Sequence, residues 1–184
     1  MNFLEEISHI YTNVTKEELK TLHSLVQSNK NDLCVEIGSY FGASSYAIAS
    51  ALKDNSRLYC IDIWKSNTAM RPDPKDGSSL LDSFKKNTKK HEDKIITIVD
   101  YSYNAYKIFK NNNSKIDFLF IDGDHSYEGV KKDFDLYLPL MNKGGIIAFH
   151  DWGWGSVKKM IMKNVLDKTI EHKSLPNMWW AKVK

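Results

Sequence analysis

A chain of 184 residues, 42% hydrophobic and 27% charged, is long enough for one core of ordinary size and has the balance of a soluble globular domain. No apolar run approaches the roughly 20 residues that span a bilayer, which excludes membrane spanning, and the start MNFLEEISHI lacks the pattern of a secretory signal, so a cytoplasmic location is expected. The net charge of +3 is carried by separated lysine doublets (85–86, 89–90, 131–132 and 158–159), which read as solvated helix faces rather than the concentrated stripe of a nucleic-acid binder.

Along the chain, Thr15 followed by Glu18 forms a capping-box pattern, and Leu19, Leu22, Leu25 and Val26 recur at helical spacing, so residues 1–30 are a helical approach. LCVEIGSYFGASSYAIASAL then reads as strand, glycine turn and small-residue helix. The alternation continues through RLYCIDIW, a helix over 79–90, KIITIVD, a helix over 103–109, and IDFLFIDGD. A helix over 127–141 leads through NKGG into IIAFHD, another covers 157–165, and KTIEHKSL with NMWWAKV reads as a terminal hairpin. Near-continuous apolar strands such as FLFI are buried on both faces, as in a parallel sheet covered by helices. The expectation is one α/β domain, 1–184, built on a Rossmann-like doubly wound sheet of seven strands, with the ligand at the carboxyl ends of the central strands. Cys34 and Cys60 sit inside apolar strands and are expected as reduced core thiols. The long irregular stretch 65–79, with Pro72 and Pro74, reads as a lid beside that ligand site.

Glu36, Gly38 and Gly42 form E-x-G-x-x-x-G where the first strand meets its helix, and small residues there admit a ligand to the backbone. Asp62, at the end of the second strand, is placed to accept both hydroxyls of a ribose. A nicotinamide dinucleotide would share these features, but its fingerprint needs a middle glycine, and Tyr40 stands there with Phe41 after it. VEIGSYFGASSYAIASAL with LYCIDIW resembles the class I S-adenosylmethionine-dependent methyltransferases over roughly residues 30–151. FLFIDGDHSYEGVKKDFDLYLPLMNKGGIIAFHDW is similar to the group that includes macrolide-sugar O-methyltransferases and cephalosporin-hydroxylase-like proteins. The resemblance implies that Glu36, Gly38, Ser39 and Gly42 line the methionine side of S-adenosylmethionine, with Ser44 a weaker member. It implies that Asp62 binds the ribose, with Ile63 and, as a weaker member like Ser44, Trp64 also binding the cofactor, that Asp100, Tyr101 and Ser102 approach the adenine, and that Asp122 borders the cofactor.

Asp122, Asp124 and His125 follow the fourth strand, and His150 and Asp151 close the fifth. Two carboxylates and an imidazole form a set that suits a divalent cation, Mg²⁺ or another metal, through Asp122, His150 and Asp151. His125 has the chemistry of a general base, assisted by Asp122. Similar metal-dependent sugar O-methyltransferases carry a carboxylate where His150 stands, which leaves both the metal and its identity open. Trp152 and Trp154 flank the HD pair and offer aromatic faces to a sugar ring, whereas Trp179 and Trp180 read as packing. The leading reading is O-methylation of a small acceptor, with a homo-oligomer allowed. The alternatives are an NAD-dependent oxidoreductase and a non-catalytic cofactor-binding module.

Overall fold

The computed structural model describes residues 3–28, 32–65 and 73–184. Seven strands form one sheet in the order β3-β2-β1-β4-β5-β7-β6: β1 Leu33–Ile37, β2 Arg57–Asp62, β3 Ile95–Val99, β4 Ile116–Ile121, β5 Met141–His150, β6 Thr169–Ser174 and β7 Met178–Val183. The first five run parallel, and β7 pairs antiparallel with both β5 and β6. Helices α1 Phe3–Glu6, α2 Lys16–Gln27, α3 Ala43–Ala51, α4 Leu80–Thr88, α5 Ser102–Asn111, α6 Tyr127–Tyr137 and α7 Gly155–Asn164 surround it. Two clusters of buried side chains lie on the sheet. One joins α2, α3 and Phe84 to Cys34, Cys60, Phe118 and Phe120. The other joins α5, α6 and α7 to Val35, Leu119, Ile147 and Phe149. Alternate residues of the central strands therefore feed opposite cores, which is why those strands read as unbroken apolar runs.

Local chemistry explains most boundaries. Thr15 caps α2 with its side chain while Glu18 reaches back to the Thr15 amide at 2.8 Å, the reciprocal box expected from the sequence. Ser79 and Ser126 cap α4 and α6 by accepting the backbone amides of Asp82 and Gly129 on their hydroxyls. Both cysteines are buried and free. One element differs from expectation: α6 stops at Tyr137 instead of running to 141. Pro139 has no amide to continue the helical ladder, and the chain tightens into a 3₁₀ turn, Leu138–Leu140. The strand then begins early, at Met141, and the NKGG segment survives as an irregularity inside it, because Ile116 pairs with Met141 but Phe118 pairs with Ile146. Residues 66–72 of the expected lid lie outside the described residues. Among the described residues no helix is long and apolar enough to cross a membrane.

Candidate active site

The sheet order reverses between β1 and β4, so the crossovers leave on opposite faces there and open a crevice beyond their carboxyl ends. Register aligns the ends: Ile37 pairs with both Ile61 and Ile121, and Ile121 with Phe149. The residues that follow are stitched together, Gly38 N donating to Ile61 O at 2.9 Å and Asp122 N to Ile37 O at 2.8 Å. A cavity of about 960 Å³ lies above this line, at the upper end of the range for small-molecule sites. Gly38, Ser39, Gly42, Ser44, Asp62, Ile63, Asp100, Tyr101, Ser102, Asp122, His125, His150 and Asp151 all line it.

Two residues assigned from the resemblance are not among those that line it. Glu36 is fully buried below the glycine turn, where its Oε2 accepts from Ser39 at 2.7 Å and from Ser45. Burial pushes its carboxyl up to about 7, against the pull of the serine hydroxyls, so it braces the turn from beneath. Trp64 is also buried, tilted against Phe84, and its Nε1 donates to Tyr40 O at 2.9 Å. It secures the loop that forms the wall.

Gly38 has φ +91, and a Cβ there would lie 2.0 Å from the Asp122 carbonyl oxygen. The strand ends can approach so closely only because that atom is missing. A Cβ on Gly42 would meet Thr88 and Phe84 of α4, so that glycine answers to helix packing as well as to the cavity. Asp62 is fixed by two backbone amides, Tyr40 N at 3.0 Å and Trp64 N at 2.9 Å. Across the cavity, Asp100 accepts from Tyr101 N and Asn104, and Ser102 donates to the buried Asp133. Burial raises the Asp133 carboxyl to about 6, despite the Ser102 hydrogen bond.

The opposite end is an acid–imidazole cluster. His125 Nε2 lies 2.8 Å from Asp151 Oδ2 and 4.0 Å from Asp122 Oδ1. The Asp151 hydrogen bond raises the His125 pKa above its ordinary value, with burial opposing it. His150 is almost completely buried, its Nδ1 3.3 Å from both Asp122 Oδ1 and Asp151 Oδ2 and its Nε2 3.6 Å from Glu18 Oε2. Burial alone would push this imidazole down, but Asp122, Asp151 and Glu18 together push it up to about 12. Burial would conversely raise Asp151, yet the two imidazoles hold it well below the usual carboxylate range. Asn177, from the β6–β7 turn, donates to Asp151 Oδ1 at 3.2 Å and stands 3.5 Å from His150 Nε2.

The expected metal set changes composition here. Among the described residues, the grouping whose donor atoms converge within 4.8 Å is Asp122, His125 and Asp151, with His125 in place of His150. The set offers two carboxylates and one imidazole, and both carboxylates also face imidazole nitrogens, Asp151 Oδ2 2.8 Å from His125 Nε2 and Asp122 Oδ1 3.3 Å from His150 Nδ1. Asp124 also lines the cavity, with its Oδ1 accepting from Ser126 N at 2.8 Å. Trp154 lines the cavity 5.0 Å from the His125 ring, while Trp152 packs toward Trp179. Glu18, Asp133 and Asn177 escaped the sequence reading. Only Glu18 carried a signal, and its capping role accounted for it.

Comparison with known proteins agrees with this architecture. A profile of the methyltransferase domain family matches residues 35–152. An uncharacterized protein of Acanthamoeba polyphaga mimivirus is 36% identical over 129 residues, 67% of this chain and 53% of its own length. The "probable caffeoyl-CoA O-methyltransferase 3" of Dictyostelium discoideum is 31% identical over 148 residues, 79% of this chain and 53% of its own length. The chain thus spans about half the length of these curated relatives. The O-methyltransferase of Bacillus cereus, solved in complex with SAH, superposes with a TM-score of 0.76 at 16% identity, covering 100% of this chain and 91% of that one. With more than half of its length matched by the profile, and with the Rossmann-like fold of that Bacillus enzyme, the chain belongs to the methyltransferase domain family.

Proposed function

We propose that the chain binds S-adenosylmethionine and transfers its methyl group to a hydroxyl of a small acceptor. The observation that carries this reading is one cavity with a glycine turn and a ribose-type carboxylate, Asp62, at one end and a hydrogen-bonded carboxylate–imidazole pair, Asp151 and His125, at the other. The residues fit the cofactor. Gly38 leaves the crossing of β1 and β4 without a side chain, and the cavity wall includes the first turn of α3, which has no side-chain cap. S-adenosylmethionine, when bound, would supply an electrophilic methyl carbon on a sulfonium, whose C–S bond breaks as the methyl is transferred, the electron pair staying on sulfur in the neutral thioether that leaves.

The chain's own residues supply position and proton transfer. His125 Nε2 is committed to Asp151, so the other ring nitrogen, Nδ1, is the one to take the acceptor's hydroxyl proton as its oxygen bonds to the methyl carbon. Asp151 then stabilises the imidazolium so formed. The need for such a base favours oxygen over a neutral amine, whose lone pair attacks before any proton leaves. Trp154, half-exposed beside His125, offers a face for a sugar or other ring.

The test is isothermal titration with S-adenosylmethionine and, separately, with NAD, on the wild type and Asp62→Ala. Binding of S-adenosylmethionine that weakens tenfold or more in the variant is expected, about 1.4 kcal/mol or more. NAD binding with none to S-adenosylmethionine would overturn the reading.

A further inference from the structure

Asp133 of α6 is only 4% exposed, yet it lines the cavity. Ser102, the first residue of α5, donates its hydroxyl to Oδ1, and Tyr137, one turn further along α6, donates to the Ser102 carbonyl at 2.9 Å. The two helices are thus joined without any use of Oδ2, which takes no hydrogen bond among the described residues. Unlike the unpartnered Oε1 of Glu36, it is not sealed in by protein. It lies beside Gly123, where a Cβ would stand 3.9 Å from it. Lys132 does not neutralise it, because the Lys132 ammonium sits over the Tyr103 ring, 3.6 Å from its centre. A buried carboxylate with a bare oxygen is costly unless a donor replaces the water it has lost.

The surroundings identify the donor. Asp100 N donates to the Asp62 carbonyl at 3.2 Å, so the ends of β2 and β3 adjoin, and the cavity wall runs from Asp62 through Ile63, Tyr101 and Ser102 to Asp133. That wall combines a ribose-type carboxylate, apolar and aromatic surface for a planar base, and one deeply buried acceptor. Asp100 and Asp124 line the same cavity but are less buried, so water can serve them. We propose that Asp133 determines which base the cofactor carries, its Oδ2 accepting a hydrogen bond from the exocyclic amino group of adenine while Ser102 fixes the carboxylate through Oδ1. A 6-oxo base would set an acceptor against an acceptor and leave Oδ2 unpaired. The inference rests on the reading of the cavity as an S-adenosylmethionine site.

The test is isothermal titration at pH 8 with S-adenosylhomocysteine and with S-inosylhomocysteine, its 6-oxo counterpart. At that pH, above the value of about 6 to which burial raises the carboxyl, Asp133 is ionised and can only accept. Wild type should bind the 6-amino ligand about tenfold or more tightly than the 6-oxo ligand. Asp133→Asn keeps the shape but can turn its NH₂ toward a 6-oxo group, so the two affinities should come within about threefold. Ser102→Ala, which releases Oδ1, should narrow the ratio too and supplies the same readout if Asp133→Asn does not fold. Equal wild-type affinities would overturn the inference, as would variants that weaken both ligands alike and keep the ratio. A wild type that binds neither ligand would instead remove the S-adenosylmethionine reading, and the inference with it.

Discussion

Replacing Gly38 by alanine should be the most damaging single-methyl addition in the site, and Gly144→Ala provides its control. Both glycines have left-handed φ, +91 and +79, so each alanine incurs the conformational cost of that region, about 1–2 kcal/mol. Only Gly38 adds a collision: its Cβ would lie 2.0 Å from Asp122 O, 2.5 Å from Asp122 C and 2.9 Å from Gly123 Cα, whereas nothing lies within 4 Å of a Cβ on Gly144. The colliding atoms are backbone and cannot rotate away, so an overpacking cost of about 1–3 kcal/mol is added. With a urea dependence of about 2 kcal/mol per molar, the midpoint should fall by roughly 1–2.5 M for Gly38→Ala and roughly 0.5–1 M for Gly144→Ala. Relief of the clash must also displace the end of β4, which carries Asp122 and leads to His125. Equal midpoints for the two variants would refute the argument that Gly38 is required by the contact between strand ends.

Glu18→Gln keeps a residue able to close the capping box but removes the charge facing His150, while Thr15→Ala removes the cap and loosens Glu18. The first should cost about 1–2 kcal/mol, less than the 3–5 usual for breaking a buried pair, because Asp122 and Asp151 still face the ring. The second should cost about 1 kcal/mol. Both are read from urea midpoints, and a Glu18→Gln variant as stable as wild type would mean that the contact with His150 carries no energy. His125→Ala should lower methyl transfer about 10²- to 10⁴-fold with cofactor affinity unchanged. Because Asp151 raises the His125 pKa, turnover should rise with pH through that elevated value; the stabilising effect of the same pair is complete below the ordinary imidazole range and lost as pH climbs from there through the elevated value. Asp151→Asn should move the rising limb to lower pH, and a limb that stays put would assign it to another group. Cys34 and Cys60, whose thiols burial pushes up, should resist a thiol reagent in the native state and react only in denaturant.

Periodicity and turn chemistry made the sheet legible because the strands of a doubly wound fold are long apolar runs punctuated by glycines and caps. The carboxyl-end rule places Asp62, Asp122, His125 and Asp151 in one crevice from the sequence alone. What the sequence could not convey was orientation. Glu36 and Gly38 stand two apart, yet Glu36 points into the core against Ser39 and Ser45 while Gly38 borders the cavity. His150 was grouped with Asp122 and Asp151 as a ligand by proximity. Its partner Glu18 lies far away in the chain and looked fully explained as a helix cap, so the bridge between α2 and β5 was invisible to local pattern. The early end of α6 follows from Pro139, whose missing amide cannot continue the helical ladder.

The backbone strain in this molecule is concentrated where the chemistry is expected. Of the five non-glycine residues with left-handed φ among the described residues, Tyr40, Trp64 and Asp151 follow the carboxyl ends of β1, β2 and β5. Such conformations cost about 1–3 kcal/mol each and persist only where the surroundings over-determine them. Here the surroundings can be named. The Asp62 carboxylate accepts the amides of both Tyr40 and Trp64, and Trp64 Nε1 closes the circuit on the Tyr40 carbonyl. Asp151 is held by His125, His150 and Asn177 on its side chain and by Trp154 N on its carbonyl. Each strained residue turns the chain sharply out of the sheet and leaves a carboxylate, Asp62 or Asp151, fixed at the crevice. Those carboxylates are therefore both braces of the fold and the groups proposed to meet cofactor and base. The position of each carboxylate at the two ends of the crevice thus follows from the same bonds that support the strained turns.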